Sequence, residues 1–83
     1  MDKLLIRLWV PAVQETFDLF VPADMIISEL IKVLVRGVED LCGGKYESSR
    51  QEMLNSRDPD LLLHPDRTLS YYGIKNGAEL VLM

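Results

Sequence analysis

Few side chains in the sequence have the reactivity that chemistry needs. Cys42 is the single cysteine, His64 the single histidine, and the serines are Ser28, Ser48, Ser49, Ser56 and Ser70. Nucleophilic catalysis needs a Ser or Cys beside a base that is itself held by a third group, and no spacing in the chain sets up that triad. An enzyme reading would need a cofactor or metal for which the residues provide no site, so the chain is expected to be no enzyme and to carry no cofactor.

Each candidate has a plain structural role instead. Cys42 falls in the last turn of a helical pattern, where the negative end of the helix dipole raises a thiol pKa and keeps the sulfur unreactive. One cysteine can form neither an internal disulfide nor a cysteine-rich metal site, and it suits a reducing compartment. His64, followed by Pro65, reads as an exposed turn histidine rather than a ligand or base. Asp58 and Asp60 flank Pro59, but two carboxylates without further oxygen ligands make a poor cation site, and a solvated turn is expected.

Composition narrows the partners. The formal net charge is −4 and the nine Lys and Arg residues are scattered, with no basic run and no interleaved aromatics. Nucleic acids and anionic lipids are bound through clustered cations, so neither is expected as a partner. No apolar run approaches the roughly 20 residues that span a bilayer, and Met1 to Val10 lacks the pattern of a secretory signal. The expectation is a cytoplasmic chain without direct membrane insertion.

The elements that would position any site are legible from periodicity. Leu4, Ile6, Leu8 and Val10 recur every second residue, the mark of a half-buried strand over Lys3 to Val10 that Pro11 stops. The same period returns from Glu15 to Val21, with Phe17, Leu19 and Val21 on one face and Thr16, Asp18 and Phe20 on the other. After Pro22 the spacing becomes helical through Ile27, Leu30, Ile31, Leu34, Val38 and Leu41. A helix over about Ile26 to Leu41 is predicted, with Asp24 at its positive end and Gly43-Gly44 at its left-handed C-cap.

Residues 45 to 60 are the least legible, and a short strand near Gln51 to Ser56 is assigned there. Leu61 to Leu63 allows a short buried strand. Asn76-Gly77 is suited to positive φ and turns the chain into a last strand, Glu79 to Met83. At 83 residues the chain is read as one domain over positions 1–83. Its pieces make an α+β fold of the β-grasp type: a mixed sheet of four to five strands in ββαββ(β) order, one face sealed by a single helix.

Arg67-Thr68-Leu69-Ser70, followed by Tyr72, Ile74 and Leu80-Val81-Leu82, resembles the C-terminal third of ubiquitin. Leu69 to Met83, LSYYGIKNGAELVLM, is similar to the closing segment of the YukD and EsaB proteins, small bacterial ubiquitin-like components associated with type VII secretion. The resemblance implies a tie between the Tyr72 hydroxyl and the backbone. It also implies a protein-interaction module, an accessory of such a secretion system whose partners include cytosolic parts of the membrane machine. Ubiquitin-like modifiers and sulfur carriers use a flexible Gly-Gly tail. Met83 is expected to lie in the last strand instead, so conjugation would require a truncated or missing tail.

Period two sends Leu5, Arg7 and Trp9 outward from the first strand, Phe20 outward from the second, and Val81 and Met83 outward from the last. With Leu54 added, Leu5, Trp9, Phe20, Leu54, Val81 and Met83 are expected to form one apolar patch. By resemblance, Met83 and Leu54 match part of ubiquitin's recognition patch. Clustered exposed apolars mark interfaces, and Trp is a frequent hot-spot residue. A homodimer through the same face is a further reading.

Overall fold

The computed structural model describes residues 3–58 and 60–83, with the backbone alone described at Asp58. Strands β1 (Lys3–Val10) and β2 (Glu15–Pro22) form the opening hairpin and lead into helix α1 (Ile27–Cys42). Strands β3 (Leu54–Asp58) and β4 (Asp60–Leu61), a single 3-10 turn at Ser70–Tyr72 and strand β5 (Ala78–Leu82) complete the chain. The sheet order is β2-β1-β5-β3-β4, with β1 and β5 parallel and the other neighbours antiparallel. This is the β-grasp arrangement, with the first and last strands side by side at the centre.

The inward residues of the strands and the apolar stripe of the helix make one core. Ile6, Leu8 and Val10 of β1, Leu80 and Leu82 of β5, and Leu30, Leu34 and Val38 of α1 are buried together. Each such side chain contributes on the order of 1.5–3 kcal/mol by leaving water. The central pair of strands thus carries the deepest burial.

Both ends of α1 are closed by backbone rather than by an acidic cap. The Ile27 and Ser28 amides donate to the carbonyls of Arg67 and Pro65 at 2.8 and 3.0 Å, which satisfies two of the otherwise unpaired first-turn groups. Asp24, just before the helix, makes no side-chain cap to it. Its carboxylate accepts the Ser70 hydroxyl at 2.7 Å and ties the segment before α1 to the 3-10 turn. At the other end Gly43 takes the left-handed conformation, φ 57°, expected of a glycine C-cap.

The third strand begins three residues later than the Gln51 start read from the sequence, because side chains claim the backbone before it. The amides of Ser49, Arg50 and Gln51 donate to Glu52, Ser48 Oγ and Ser49 Oγ respectively. Local bonds of this kind compete with a ladder, and Arg50 also sits at positive φ, 62°, outside the strand region.

The apolar run Leu61 to Leu63 is not one strand either: β4 ends at Leu61, Leu62 is 79% exposed and Leu63 turns into the core. Pro59 and the Asp58 side chain lie outside the described residues, so the turn reading of Asp58-Pro59-Asp60 rests on sequence alone.

The last strand is anchored at its start by two contacts to β1. The Leu5 amide donates to Asn76 Oδ1 at 2.9 Å, and the Gly77 amide donates to the Leu5 carbonyl at 2.8 Å. Only Gly77 of the Asn76-Gly77 pair has positive φ; Asn76 serves through its side chain. The Met83 and Met53 backbones exchange two hydrogen bonds, of 3.0 and 2.6 Å, and extend the β5–β3 pairing by one residue.

Tyr72 makes the tie expected of it. Its hydroxyl accepts the His64 amide at 2.7 Å and pins the loop after β4 to the 3-10 turn. Tyr72→Phe should cost about 0.5–1.5 kcal/mol, the net worth of one hydrogen bond, read as a lower urea midpoint with an unchanged slope. An unaltered midpoint would show that water replaces the hydroxyl there without loss.

A candidate protein-interaction face

The face of the sheet opposite the helix is built by the outward residues of four strands. Pairing places Phe20 beside Leu5, Asp18 beside Arg7, and Thr16 beside Trp9 across the hairpin. Across the parallel pair, Arg7 stands beside Glu79 and Trp9 beside Val81. On the far side, Val81 pairs with Asn55 and, past a bulge between Ser56 and Asp58, Glu79 pairs with Asp58.

Five of the six residues assigned to this face from the sequence lie on it. Phe20 is 69% exposed and Met83 62%, while Leu5, Trp9 and Val81 are partly covered by their neighbours. Leu54 does not belong there: it is 1% exposed, in the core. The cause is register, because Leu54 pairs with Leu82 and shares its inward face. The outward places on β3 fall to Asn55 and Arg57.

Sequence reasoning missed Met53, which is 55% exposed and joined to Met83 by backbone. Alternation from a correctly placed Leu54 would have found it.

Nor is the patch a single apolar surface. A charged row, Asp18, Arg7 and Glu79, crosses the sheet between the Phe20–Leu5 end and the Trp9–Val81–Met83 end. Arg7 Nε and Asp18 Oδ1 are 3.4 Å apart with both side chains mostly exposed, a geometry worth little in isolation. Arg7, Trp9, Thr16, Arg57 and Glu79 line a shallow depression of about 190 Å³ at the middle of the face.

The remaining polar side chains are placed as structural parts. Cys42 is buried, and burial followed by the nearby Glu15 carboxylate pushes its thiol pKa up. The direction agrees with the sequence reading, but its causes are burial and Glu15. His64 is exposed, and its Nδ1 accepts the Asp66 amide at 3.2 Å. Tyr71 is exposed beneath the Arg67 guanidinium, 4.8 Å from its ring centre. Among the described residues no three His, Cys, Asp or Glu side chains gather as metal ligands, and no helix is long and apolar enough to cross a membrane.

No protein-family profile matches the chain, and no curated protein matches it. Solved structures do. An Arabidopsis thaliana ubiquitin-like domain, of the protein At2g32350, aligns over 100% of this chain and 78% of its own, with a TM-score of 0.70 at 20% identity. The ubiquitin-like domain of the Mycobacterium tuberculosis type VII secretion system protein ECCD1 aligns over 100% and 99%, with a TM-score of 0.73 at 18% identity. A chain of the MycP5-free ESX-5 inner membrane complex gives a TM-score of 0.79 at 13% identity, over 98% of this chain and 20% of that one. At such identities the likeness shows the fold: an α+β, ubiquitin-like β-grasp with a mixed five-stranded sheet over one helix.

Proposed function

We propose that the protein is a ubiquitin-like interaction module, a cytosolic accessory of a bacterial type VII secretion system of the YukD and EsaB kind. It works by contact through the outer sheet face. The observation that carries this reading is the set of apolar side chains, exposed Phe20 and Met83 with half-buried Trp9 and Val81, on the sheet face turned away from the helix and core. Exposed apolar surface on a small domain marks a docking site. The shared fold with the ECCD1 domain supports a partner among the cytosolic parts of the secretion machine.

The alternative is a modifier or sulfur carrier that acts through a Gly-Gly terminus. A reading frame running past Met83 into Gly-Gly, with conjugates in lysate by mass spectrometry, would establish it.

The test of the first reading is co-purification with the secretion complex from cells, comparing the native chain with Trp9→Glu and Phe20→Asp. Both substitutions leave the core intact and should cut recovery at least about tenfold, the scale of a lost hot-spot contact. Undiminished recovery of the same partners by both variants would refute the outer face as the site.

A further inference from the structure

On the helix side of the sheet, away from the outer face, a cleft of about 520 Å³ lies between α1 and the loop before β3. We propose that this cleft binds a linear segment of a partner protein in which an aliphatic side chain is flanked by carboxylates. It is a second contact site, distinct from the outer face.

The cleft has an apolar floor and a deeper recess. Ile31 and Val35 of α1, both half-buried, form the floor together with Pro65. A smaller cavity of about 90 Å³ shares Ile31, Glu52 and Pro65 with the cleft and reaches the buried side chains of Ile27, Leu54 and Leu63. That recess suits one aliphatic side chain, which would leave water for surroundings of core character.

Charge fixes what flanks that side chain. Lys32 lines the cleft from the helix and Arg50 from the loop, in a chain whose formal net charge is −4. The one carboxylate of the lining, Glu52, is already engaged by the Tyr46 hydroxyl and the Ser49 amide. Lys32 holds only an exposed contact to Glu29 at 3.4 Å, which is weak enough to exchange. Among the described residues no carboxylate pairs with Arg50. Cations on both walls of an apolar cleft, with no free anion between them, complement an acidic occupant.

Arg50 carries a further mark of use. Its φ of 62° lies in the left-handed region, where arginine is strained and glycine would not be. Such strain persists where a residue has a function. The occupant is a peptide rather than a nucleotide or a lipid, because no aromatic ring lines the cleft to stack a base, and its open side would leave an acyl chain partly in water.

Titration of the isotope-labelled native chain, followed by its amide NMR shifts, tests the site. The probes are N-acetylated pentapeptide amides with leucine between acidic pairs, alanine between acidic pairs, or leucine between lysine pairs, and dodecanoate. The acidic leucine peptide should shift the amides of Ile31, Lys32, Val35 and Arg50 with a Kd on the order of 0.1–1 mM, the scale of a contact anchored by one side chain. The alanine peptide should bind at least about fivefold more weakly, and the lysine peptide should leave the cleft unshifted.

Lys32→Glu combined with Arg50→Gly should weaken the acidic peptide at least about tenfold. Glycine takes positive φ freely, so this variant keeps its fold, and the peptide series decides on the native chain alone if it does not. Unshifted cleft amides at tenfold the expected concentration, equal binding of the lysine or alanine peptide, tighter binding of dodecanoate, or full binding by the folded double variant would each overturn the proposal. Trp9→Glu, which removes an outer-face contact, should leave the titration unchanged; a lost response there would place the peptide on the outer face instead. The co-purification test is thus read separately from this one.

Discussion

Leu8→Ala should lower the unfolding free energy by about 3–5 kcal/mol, at the upper end of large-to-small core changes. Leu8 is fully buried and sits directly opposite Leu80, also fully buried, at the junction of the two central strands. Leu30 and Leu34 of the helix belong to the same buried cluster. Removing the side chain deletes buried methyl and methylene groups and leaves a void bounded by strands that hydrogen-bond on both sides of β1. Those strands cannot collapse inward without breaking the ladder, so relaxation recovers little of the loss.

An 83-residue domain holds only about 5–15 kcal/mol of net stability, so the substitution removes a large share. Urea unfolding should show a much lower midpoint. By contrast, Val81→Ala on the outer face, one residue away in β5, should change stability by less than about 1 kcal/mol, because its side chain is already partly in water. Equal losses at the two positions would mean that the outer face is covered in the isolated chain.

The central strands and the helix were legible from sequence because their signals are periodic and carried by many residues. Ile6, Leu8 and Val10 alternate with outward neighbours, and Leu30, Leu34 and Val38 recur on one helical face, so one atypical residue does not obscure the pattern. The third strand was misplaced because its start is decided by Ser48, Ser49 and Glu52 bonding to nearby amides, and such bonds have no period.

Leu54 was added to the outer face by its resemblance to ubiquitin's recognition patch, and only the register, which sets it opposite the inward Leu82, places it in the core and leaves the outer face to Met53. The charged residues were legible one by one, but the juxtaposition of Arg7 with Glu79 appeared only once β1 and β5 were placed side by side. Distant pairings of this kind are set by tertiary contacts, not by local sequence.

Glu52→Ala should cost about 1–3 kcal/mol at neutral pH, the penalty for leaving the buried Tyr46 hydroxyl unpaired, and the cost should shrink in acid. Tyr46 is only 6% exposed, and its hydroxyl donates to Glu52 Oε2 at 2.7 Å. The Ser49 amide donates to the same oxygen at 3.0 Å. Burial pushes the Glu52 carboxyl pKa up, but the hydrogen bonds from Tyr46, Ser48 and Ser49 outweigh it, and the net direction is down.

A carboxylate held below its ordinary pKa contributes stability above that ordinary value, 4.5, and loses it as pH falls through the folded value. Native chain and Glu52→Ala should therefore differ most near pH 7 and converge at the acid end. Tyr46 behaves oppositely. Burial first, and the Glu52 bond second, push its pKa up, so its contribution is complete below pH 10 and lost as pH rises from there through the folded value.

Loss of the Glu52 acceptor also frees the backbone that delays β3, so amides of residues 46–53 should exchange with solvent faster while those of β1 and β5 keep their protection. Urea unfolding at pH 7 and pH 3.5, with hydrogen exchange at the higher pH, checks both parts. A native-to-variant difference that is the same at both pH values would show that the ionised carboxylate does not hold this loop, and that Tyr46 is fixed by packing alone.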